Sequence, residues 1–599
     1  MPPVPRATGP ASHYPAAAEL RFVGHSPVKP PMRRSPNSSP RSARARCINP
    51  VIMYLGIALY AGCLLSWWLF LKGDANRVRM SRWSSAVLPN GRATYDAALY
   101  ADTGSASADN LLTTFARGIG ATTPELLELH KRHHIPDYKC VGWRQTGDCS
   151  PDGPREPAKD LNCGGTVLAG ASGYCLLRDE VTGEEIQAMR LSCNSLRNKT
   201  TFKCSQAADF ARVAPQVNAL IAAKSRELQE TKVVRRRPHE ERNNTETTVQ
   251  LEPTRGIVMV VYPKLLQSVH ATVRLLREYG CKLPIEMWFL EKEMGAAPLD
   301  YSRILQSLQK DYGPIFMRGI TDDLVVGFTS KVYALAHSEL DQILFLDADN
   351  APVKDPTYLF DTPEFVKTGS VFWPDFWTPA NTIFNIKAES LIWELVGTPF
   401  VDMFEQESGQ LLIDRKRTAV ALHVAQFLAM REPRHFERLR LSYGDKDLFR
   451  LAWIKTNTSF HMIVTPPAAA GMVRAKQYCG MTMVQHDTRG EVIFLHRNGK
   501  KLSGEEDFTR DHTWGQLQTF IFPDRLASVD TDPAKRYAFV KKFFKVDIFQ
   551  GGKQFVKTRM CYGDRYLKSK HFKLTPWKEL PWHNIEDTLL DYARDASQL

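Results

Sequence analysis

Between residues 256 and 346, short apolar runs alternate with segments of helical period. GIVMVVY (256–262), IEMWFL (285–290), PIFMRGI (314–320) and QILFL (342–346) are β-prone and apolar on both faces. The stretches 265–279, 301–310 and 330–338 instead place apolar residues three and four apart. This alternation predicts an α/β layer with a mainly parallel central sheet buried on both faces. Ligands of such sheets gather beyond the carboxyl ends of the strands.

A second apolar pattern lies near the start. Residues 51–71 read VIMYLGIALYAGCLLSWWLFL, 21 residues without a charge. As a helix they would be about 31 Å long, matching a hydrocarbon core of about 30 Å. Trp67 and Trp68 sit where aromatic rings favour the interface. A buried core helix is seldom apolar on every face for so long. The run also starts 50 residues in and lacks a small-residue cleavage site, so it reads as a signal-anchor rather than a cleaved signal.

These patterns divide the chain. Residues 1–50, rich in Pro, Ser, Ala and Arg, form a disordered cytosolic tail, and 51–71 the transmembrane segment. Residues 72–137 are a stem with a helical piece at 124–134, and 138–206 hold six cysteines. A helix (207–231) and a polar linker, VVRRRPHEERNNTETT, fill 207–253. The α/β domain is expected over 254–505, with 506–599 a C-terminal extension packed on it or following it. No internal repeat is visible.

Lys and Arg are nearly balanced across the span, so the positive-inside rule decides little. Cys140, Cys149, Cys163, Cys175, Cys193 and Cys204, with sequons at Asn198, Asn243 and Asn457, point to an oxidising lumen. Zinc is the alternative, but no C-x-x-C pair is present. Fifteen disulfide pairings are open. Beside the membrane, Cys47 is either palmitoylated or an idle thiol. The composition, 43% hydrophobic and 24% charged, is that of a folded protein. The net charge of +13 invites a nucleic-acid reading, but residues 1–50 carry +7 of it and no nucleic-acid motif follows.

The chemistry is expected where QILFL runs into Asp347-Ala348-Asp349-Asn350. Two carboxylates one residue apart at a strand exit can face a divalent cation and the sugar nucleotide attached to it. Structural turn carboxylates are the alternative. Two further D-x-D triplets occur: Asp530-Thr531-Asp532 precedes a proline and reads as a turn or helix cap, and Asp445-Lys446-Asp447 opens a helical segment.

Several blocks resemble one family in order. KVYALAHSELDQILFLDADNAPVKDPTYLF (331–360) and GSVFWPDFW (369–377) look like the core of the Golgi α-mannosyltransferases of glycosyltransferase family 71. LLREYGCKLPIEMWFLEKE (275–293), EQESGQLLIDRKR (405–417), YGDKDLFRLAW (443–453) and MVQHDTRGEVIFLHRNGKK (483–501) are similar to its other blocks. The resemblance spans about 254–505. It implies a GT-A nucleotide-sugar fold, a GDP-mannose donor, and transfer with retention to a mannose-containing glycan. It also implies Mn²⁺, with Mg²⁺ as the alternative, and a single-pass type II Golgi membrane protein with a lumenal catalytic domain.

Carried over by position, the resemblance makes Asp349 and His496 metal ligands, with Asp347 among them or against the ribose. Shared ligation would require Asp349 and His496 within about 5 Å. Lys331 is the candidate for the nucleotide phosphates, Lys500 or Lys501 for the diphosphate, and Arg274 for the guanosine. Glu407 and Gln410, read in a Gly-containing turn, would approach the donor sugar. Asp445 and Asp447 are the catalytic candidates at the sugar end, binding acceptor hydroxyls or stabilising an oxocarbenium-like transition state. Each has a plain alternative: a structural histidine, a surface lysine, a solvated helix face for Arg274, a cap residue for Glu407, and a helix N-cap for the aspartates. Two other functions fit the same pattern, a UDP-sugar-dependent transferase and a non-catalytic glycan-binding protein on the same scaffold.

Overall fold

The computed structural model describes residues 135–236, 252–499, 501–502, 504, 512–527, 532–555, 558 and 560–599. The apolar span 51–71, the helical piece at 124–134 and Lys500 lie outside them. Among the described residues no helix is long and apolar enough to cross a membrane.

The six-cysteine segment forms an antiparallel sheet of β1 (Tyr138–Gln145), β2 (Gly173–Asp179) and β3 (Glu185–Leu191), in that order. Disulfides Cys140–Cys163, Cys149–Cys193 and Cys175–Cys204 select one of the open pairings. Helix α1 (Ala207–Arg236) follows, burying Phe210, Val213, Val217 and Leu220.

The central sheet follows the apolar pattern closely. Its first strands are β4 (Arg255–Val260), β5 (Ile285–Leu290), β6 (Ile315–Ile320) and β7 (Gln342–Leu346), with neighbours β7-β4-β5-β6 all parallel. Helices α2 (Leu266–Glu278) and α3 (Thr329–His337) make the first and third connections, and a helix at Arg303–Asp311 makes the second. Alternate residues serve opposite faces: Val258, Ile343 and Phe345 join one core cluster, and Ile257, Met259, Leu344 and Leu346 the other. Beyond β7 the chain crosses to β8 (Asn350–Pro352) and returns as β9 (Ser370–Pro374) and β10 (Gln406–Asp414). β10 pairs antiparallel with both β7 and β9, so this end of the sheet is mixed. Helix α4 (Leu448–Lys455) leads to β11 (His461–Met462), which completes the sheet beside β9.

A second, antiparallel sheet has no counterpart in the sequence reading. β12 (Ala468–Arg474), β13 (Gln477–His486), β14 (Val492–His496), β15 (Gln516–Phe520) and β16 (Phe572–Pro576) join β8 in the order β8-β14-β13-β12-β15-β16. Residues beyond 505 are therefore built into the same body: β15 and β16 extend this sheet, and α5 (Ile585–Ser597) packs on α2 through Ala271, Leu275, Leu589, Leu590 and Ala593. Disulfide Cys479–Cys561 ties the short strand Cys561–Gly563 to β13. Asp532 caps the helix Pro533–Phe543 by accepting from Ala534 N at 2.9 Å, in line with the cap reading of that triplet.

The cysteine module is docked by buried charge. Glu394 accepts from the peptide nitrogens of Met189 (2.6 Å) and Arg190 (2.9 Å). Asp209 of α1 accepts from Arg431 at 2.8 and 2.9 Å, and His435 Nε2 lies 2.7 Å from Asp209 Oδ2. Arg438 can only donate, so His435 Nδ1, 2.8 Å away, accepts and Nε2 carries the proton to Asp209. Burial opposes ionisation of Asp209, yet its bonds to His435 and Arg431 outweigh burial and hold the carboxyl far below the usual carboxylate range. Such a depressed acid stabilises the fold above its unfolded value and loses that contribution as the pH falls. Asp209→Ala should therefore cost about 3–5 kcal/mol in urea unfolding at pH 7, by leaving Arg431 without its partner. Acid unfolding below about pH 4 should also be steeper in the wild type than in this variant. A cost under about 1 kcal/mol would contradict the docking role.

Candidate active site

The site begins where β7 ends. Asp347 donates its peptide N–H to Gly409 O (2.9 Å), and Asn350 N donates to Asp347 O (3.0 Å). Asn350 is by then part of the other sheet, paired with His496 at the last position of β14. The Arg497 N–H reaches Asp349 O at 2.9 Å. Residues 347–349 thus bridge the two sheets, and the register of β8 on β14 brings the imidazole to the carboxylates. His496 Nε2 lies 3.3 Å from Asp349 Oδ1 and 3.8 Å from Asp347 Oδ2. One ligand atom from each of the three residues falls within 4.8 Å of the others. The separation expected for shared ligation is met.

The ESGQ stretch is not a turn before a helix. It is a wide bulge inside β10: Phe372 faces Leu411 while Trp373 faces Glu407, leaving Ser408–Gly409–Gln410 unpaired with β9. The bulge supplies backbone to the site. Gly409 O accepts from Asp347 N and from Asn350 Nδ2 (2.9 Å), and Gln410 Oε1 accepts from Asn350 Nδ2 at 2.7 Å. Glu407 Oε1 accepts from the N–H groups of Ser408 and Gly409, both at 2.8 Å, and lies 3.7 Å from His496 Nδ1.

Lys331, early in α3, is fully engaged rather than a surface lysine. Its Nζ lies 3.1 Å from Asp347 Oδ1 and 3.0 Å from Asp445 Oδ2, and donates to Ser408 O at 2.8 Å. Burial alone would lower its pKa, but Asp347 and Asp445 outweigh burial and raise it, so the ammonium keeps its proton. Burial raises the Asp445 carboxyl against the pull of Lys331. Lys501 pairs with Asp349.

Among the described residues, Asp347, Asp349 and Asp445 are met by the ammonium groups of Lys331 and Lys501, and Glu407 lies beside the His496 ring. Of these acids, Asp349 and Asp445 are buried, and the neighbouring His496 Nδ1 is buried without a hydrogen-bond partner. Excess carboxylate beside an imidazole fits a divalent cation. Lys501 sits where its charge substitutes for that ion at Asp349.

Two sequence candidates are placed elsewhere. Arg274 faces α5: it pairs with Asp595 (2.9 Å) and Glu278 (3.4 Å) and lies over the Tyr592 ring at 3.7 Å. Its guanidinium is committed to holding the last helix. Asp447, at φ +65° and fully buried, pairs with Lys446 (2.7 Å) and Arg450 (2.6 Å) and accepts from Gln406 N at 2.8 Å. It makes no side-chain cap bond to α4 and organises a charge cluster behind the cleft.

That cluster adds residues that the sequence reading missed. Lys446 also pairs with Glu405 and, at 3.4 Å, with Asp375. Burial, against Lys446 and with Glu407 and Glu405, pushes the Asp375 carboxyl up to about 8. Asp375 follows the apolar strand β9 as Asp347 follows β7, so the same strand-exit signal could have found it. Tyr262, just past β4, is raised by burial and then by Asp347 and Glu293. Its signal was again a polar residue at a strand end.

An α/β sheet whose strand exit gathers two carboxylates and an imidazole carries the donor set of a divalent-cation site. Residues 254–487 match the family described as "Mannosyltransferase putative", so the family resemblance holds over this segment. The chain is 24% identical over 341 residues to the alpha-1,2-mannosyltransferase MNN5 of Saccharomyces cerevisiae, covering 46% of this chain and 57% of that one. It is 28% identical over 405 residues to the alpha-1,2-mannosyltransferase MNN24 of Candida albicans, covering 56% and 55%. The chain thus spans about half the length of the curated relatives it matches. A solved structure, the mannosyltransferase Ktr4p from S. cerevisiae in complex with GDP, matches at 10% identity over 44% of this chain and 82% of that one, with a TM-score of 0.25.

Gly409 gives a direct test of the triad. A Cβ there would lie 2.5 Å from His496 Nδ1 and 2.6 Å from Cε1, so Gly409→Ala must push the ring off the carboxylates. We expect Mn²⁺ affinity in a calorimetric titration to fall by about tenfold or more, with far-UV circular dichroism retained. Unchanged affinity would contradict His496 as a ligand.

Proposed function

We propose that this chain is a GT-A mannosyltransferase, a single-pass type II protein of the Golgi membrane anchored by residues 51–71. It transfers mannose from GDP-mannose to a mannose-containing glycan with retention. The observation that carries the reading is the convergence of Asp347, Asp349 and His496 at a parallel strand's exit, the two aspartates lying inside the segment that matches the mannosyltransferase family and His496 just beyond its end. The alpha-1,2-mannosyltransferase names of the relatives support mannose as the transferred sugar.

Asp349 and His496 hold the metal, with Asp347 beside them. A divalent ion held there, Mn²⁺ or Mg²⁺, would supply the positive charge that a departing diphosphate needs. Lys331 fixes Asp347 and the bulge carbonyl of Ser408, keeping the acidic wall rigid around the donor. Lys501, released from Asp349, and Lys500 meet the diphosphate as point charges. Tyr262 faces the nucleoside, the role first considered for Arg274. Glu407, Gln410 and Asp445 line the hexose end.

Asp447 has no place as a nucleophile, since Lys446 and Arg450 hold both of its oxygens. Asp445 is pinned by Lys331. The geometry favours front-face attack: the bond from the anomeric carbon to the phosphate oxygen breaks, the acceptor oxygen bonds on the same face, and the departing phosphate takes its proton. Carboxylates at the hexose end stabilise the positive charge that develops on the ring.

Asp349→Ala should lower Mn²⁺-dependent transfer from GDP-mannose by about two orders of magnitude or more. A panel of nucleotide sugars assayed on wild type and variant checks this. Activity surviving the substitution would refute the site, and preference for a UDP-sugar would refute the donor. A trapped mannosyl adduct on Asp445 would overturn front-face attack.

A further inference from the structure

Outside the charged wall the cleft has an aromatic rim. Phe328 is 51% exposed and Tyr443 is 63% exposed, with ring centroids 5.5 Å apart in an edge-to-face pair. Two such rings held together in water need a reason, because apolar surface beside a polar cleft marks a contact site. They are held on purpose by the backbone. Gly444 adopts φ +59°, and a Cβ there would lie 2.7 Å from the Phe328 ring, so only glycine lets the rings meet. The next residue is Asp445, 3.0 Å from Lys331, so the pair sits directly on the charged wall.

Beside the buried charge cluster stands Tyr562, from the short strand Cys561–Gly563. It pairs with Gly480 of β13 and stacks on Phe376, with centroids 5.8 Å and planes 18° apart. Its phenol lies in the field of Asp375, Tyr443 and Glu407, which together with burial raises its pKa. Phe376 follows Asp375, and Lys446, which pairs with Asp375 at 3.4 Å, donates its backbone N–H to Tyr443 O at 3.2 Å, so Tyr562 and Tyr443 border the same charge cluster. It lies outside residues 254–487, and disulfide Cys479–Cys561 ties its strand to the sheet.

We propose that Phe328, Tyr443 and Tyr562 form the subsite for the accepting hexose, and that Tyr562 is a specificity-determining residue supplied by the C-terminal segment. This rests on the reading of the cleft as a glycosyl-transfer site. A pyranose has an apolar C–H face and hydroxyl-bearing edges. Exposed rings suit the face, and a phenol with the carboxylates suits the edges. The donor hexose must lie within the acidic wall next to the diphosphate. An acceptor glycan continues outward, and the open rim is the part of the cleft that allows it.

Two measurements on the full-length protein test the proposal. In transfer assays with GDP-mannose, Tyr443→Ala should raise the KM for α-linked mannotriose about tenfold, while the KM for GDP-mannose moves less than twofold. Tyr562→Phe keeps the stack on Phe376 and loses the hydroxyl, so acceptor KM should rise about fivefold. Acceptor KM within twofold of wild type in both variants would overturn the proposal, as would a parallel rise in donor KM, which would give the rim to the donor. Saturation-transfer NMR of mannotriose without donor provides the independent arm. Signal in the wild type that is lost in Tyr443→Ala supports the subsite even if no nucleotide sugar is turned over, in which case the transferase reading alone fails. Signal unchanged in the variant sinks the subsite while leaving that reading intact.

Discussion

Leu346 ends a strand of the parallel sheet and Asn350 begins a strand of the antiparallel one. The three residues between them cross from one sheet to the other, and both aspartates lie on that crossing. The crossing is fixed at each end by backbone bonds, from Asp347 N to the β10 bulge and from Arg497 N to Asp349 O. The carboxylates are therefore placed by two ladders rather than by a flexible loop. The same pairing that ends β14 delivers His496 to them. Remove either ladder and the three groups separate.

Placing this many acids together is costly, and the surrounding structure is arranged around that cost. Lys331 bridges Asp347, Asp445 and Ser408 from one side, and Lys501 meets Asp349 from the other. Behind them Lys446 and Arg450 hold Glu405, Asp375 and Asp447 in a second buried cluster. Neither cluster is stable with one member deleted, because an unpaired buried charge costs several kcal/mol. Rigid acids with an incomplete set of cations suit a site that receives a divalent ion and a charged leaving group. The last helix takes part: Glu586 accepts from Arg497 at 3.1 Å and from Thr513 N and Trp514 N at 2.8 and 2.9 Å, steadying the residue after His496.

The parallel half of the fold was legible because its strands are buried on both faces and read as unbroken apolar runs. QILFL matches β7 residue for residue, and IEMWFL matches β5. The antiparallel sheet was not legible: AAAGMVR and the polar QLQTF carry no clear period, and their pairings join residues as far apart as Gln516 and Pro576. The D-x-D at the end of β7 was readable from local sequence alone, whereas His496 needed the family pattern. Glu407 and Gln410 were found, but the glycine beside them marks a bulge, not a turn. Arg274 misled because a helix face shows no sign of which neighbour will cover it. Asp445 and Asp447 look alike in sequence, and only the αL backbone at Asp447 turns one toward the cleft and the other into the core.

The central claim is that Asp349 and His496, with Asp347, bind one divalent cation at the donor's diphosphate. A crystal grown with Mn²⁺ and GDP, measured at the manganese absorption edge, tests it most directly. The account predicts a single strong anomalous peak within bonding distance of Asp349 and His496 and in contact with the diphosphate. A diphosphate bound in the cleft with no peak there, or a peak held by other residues, would contradict it.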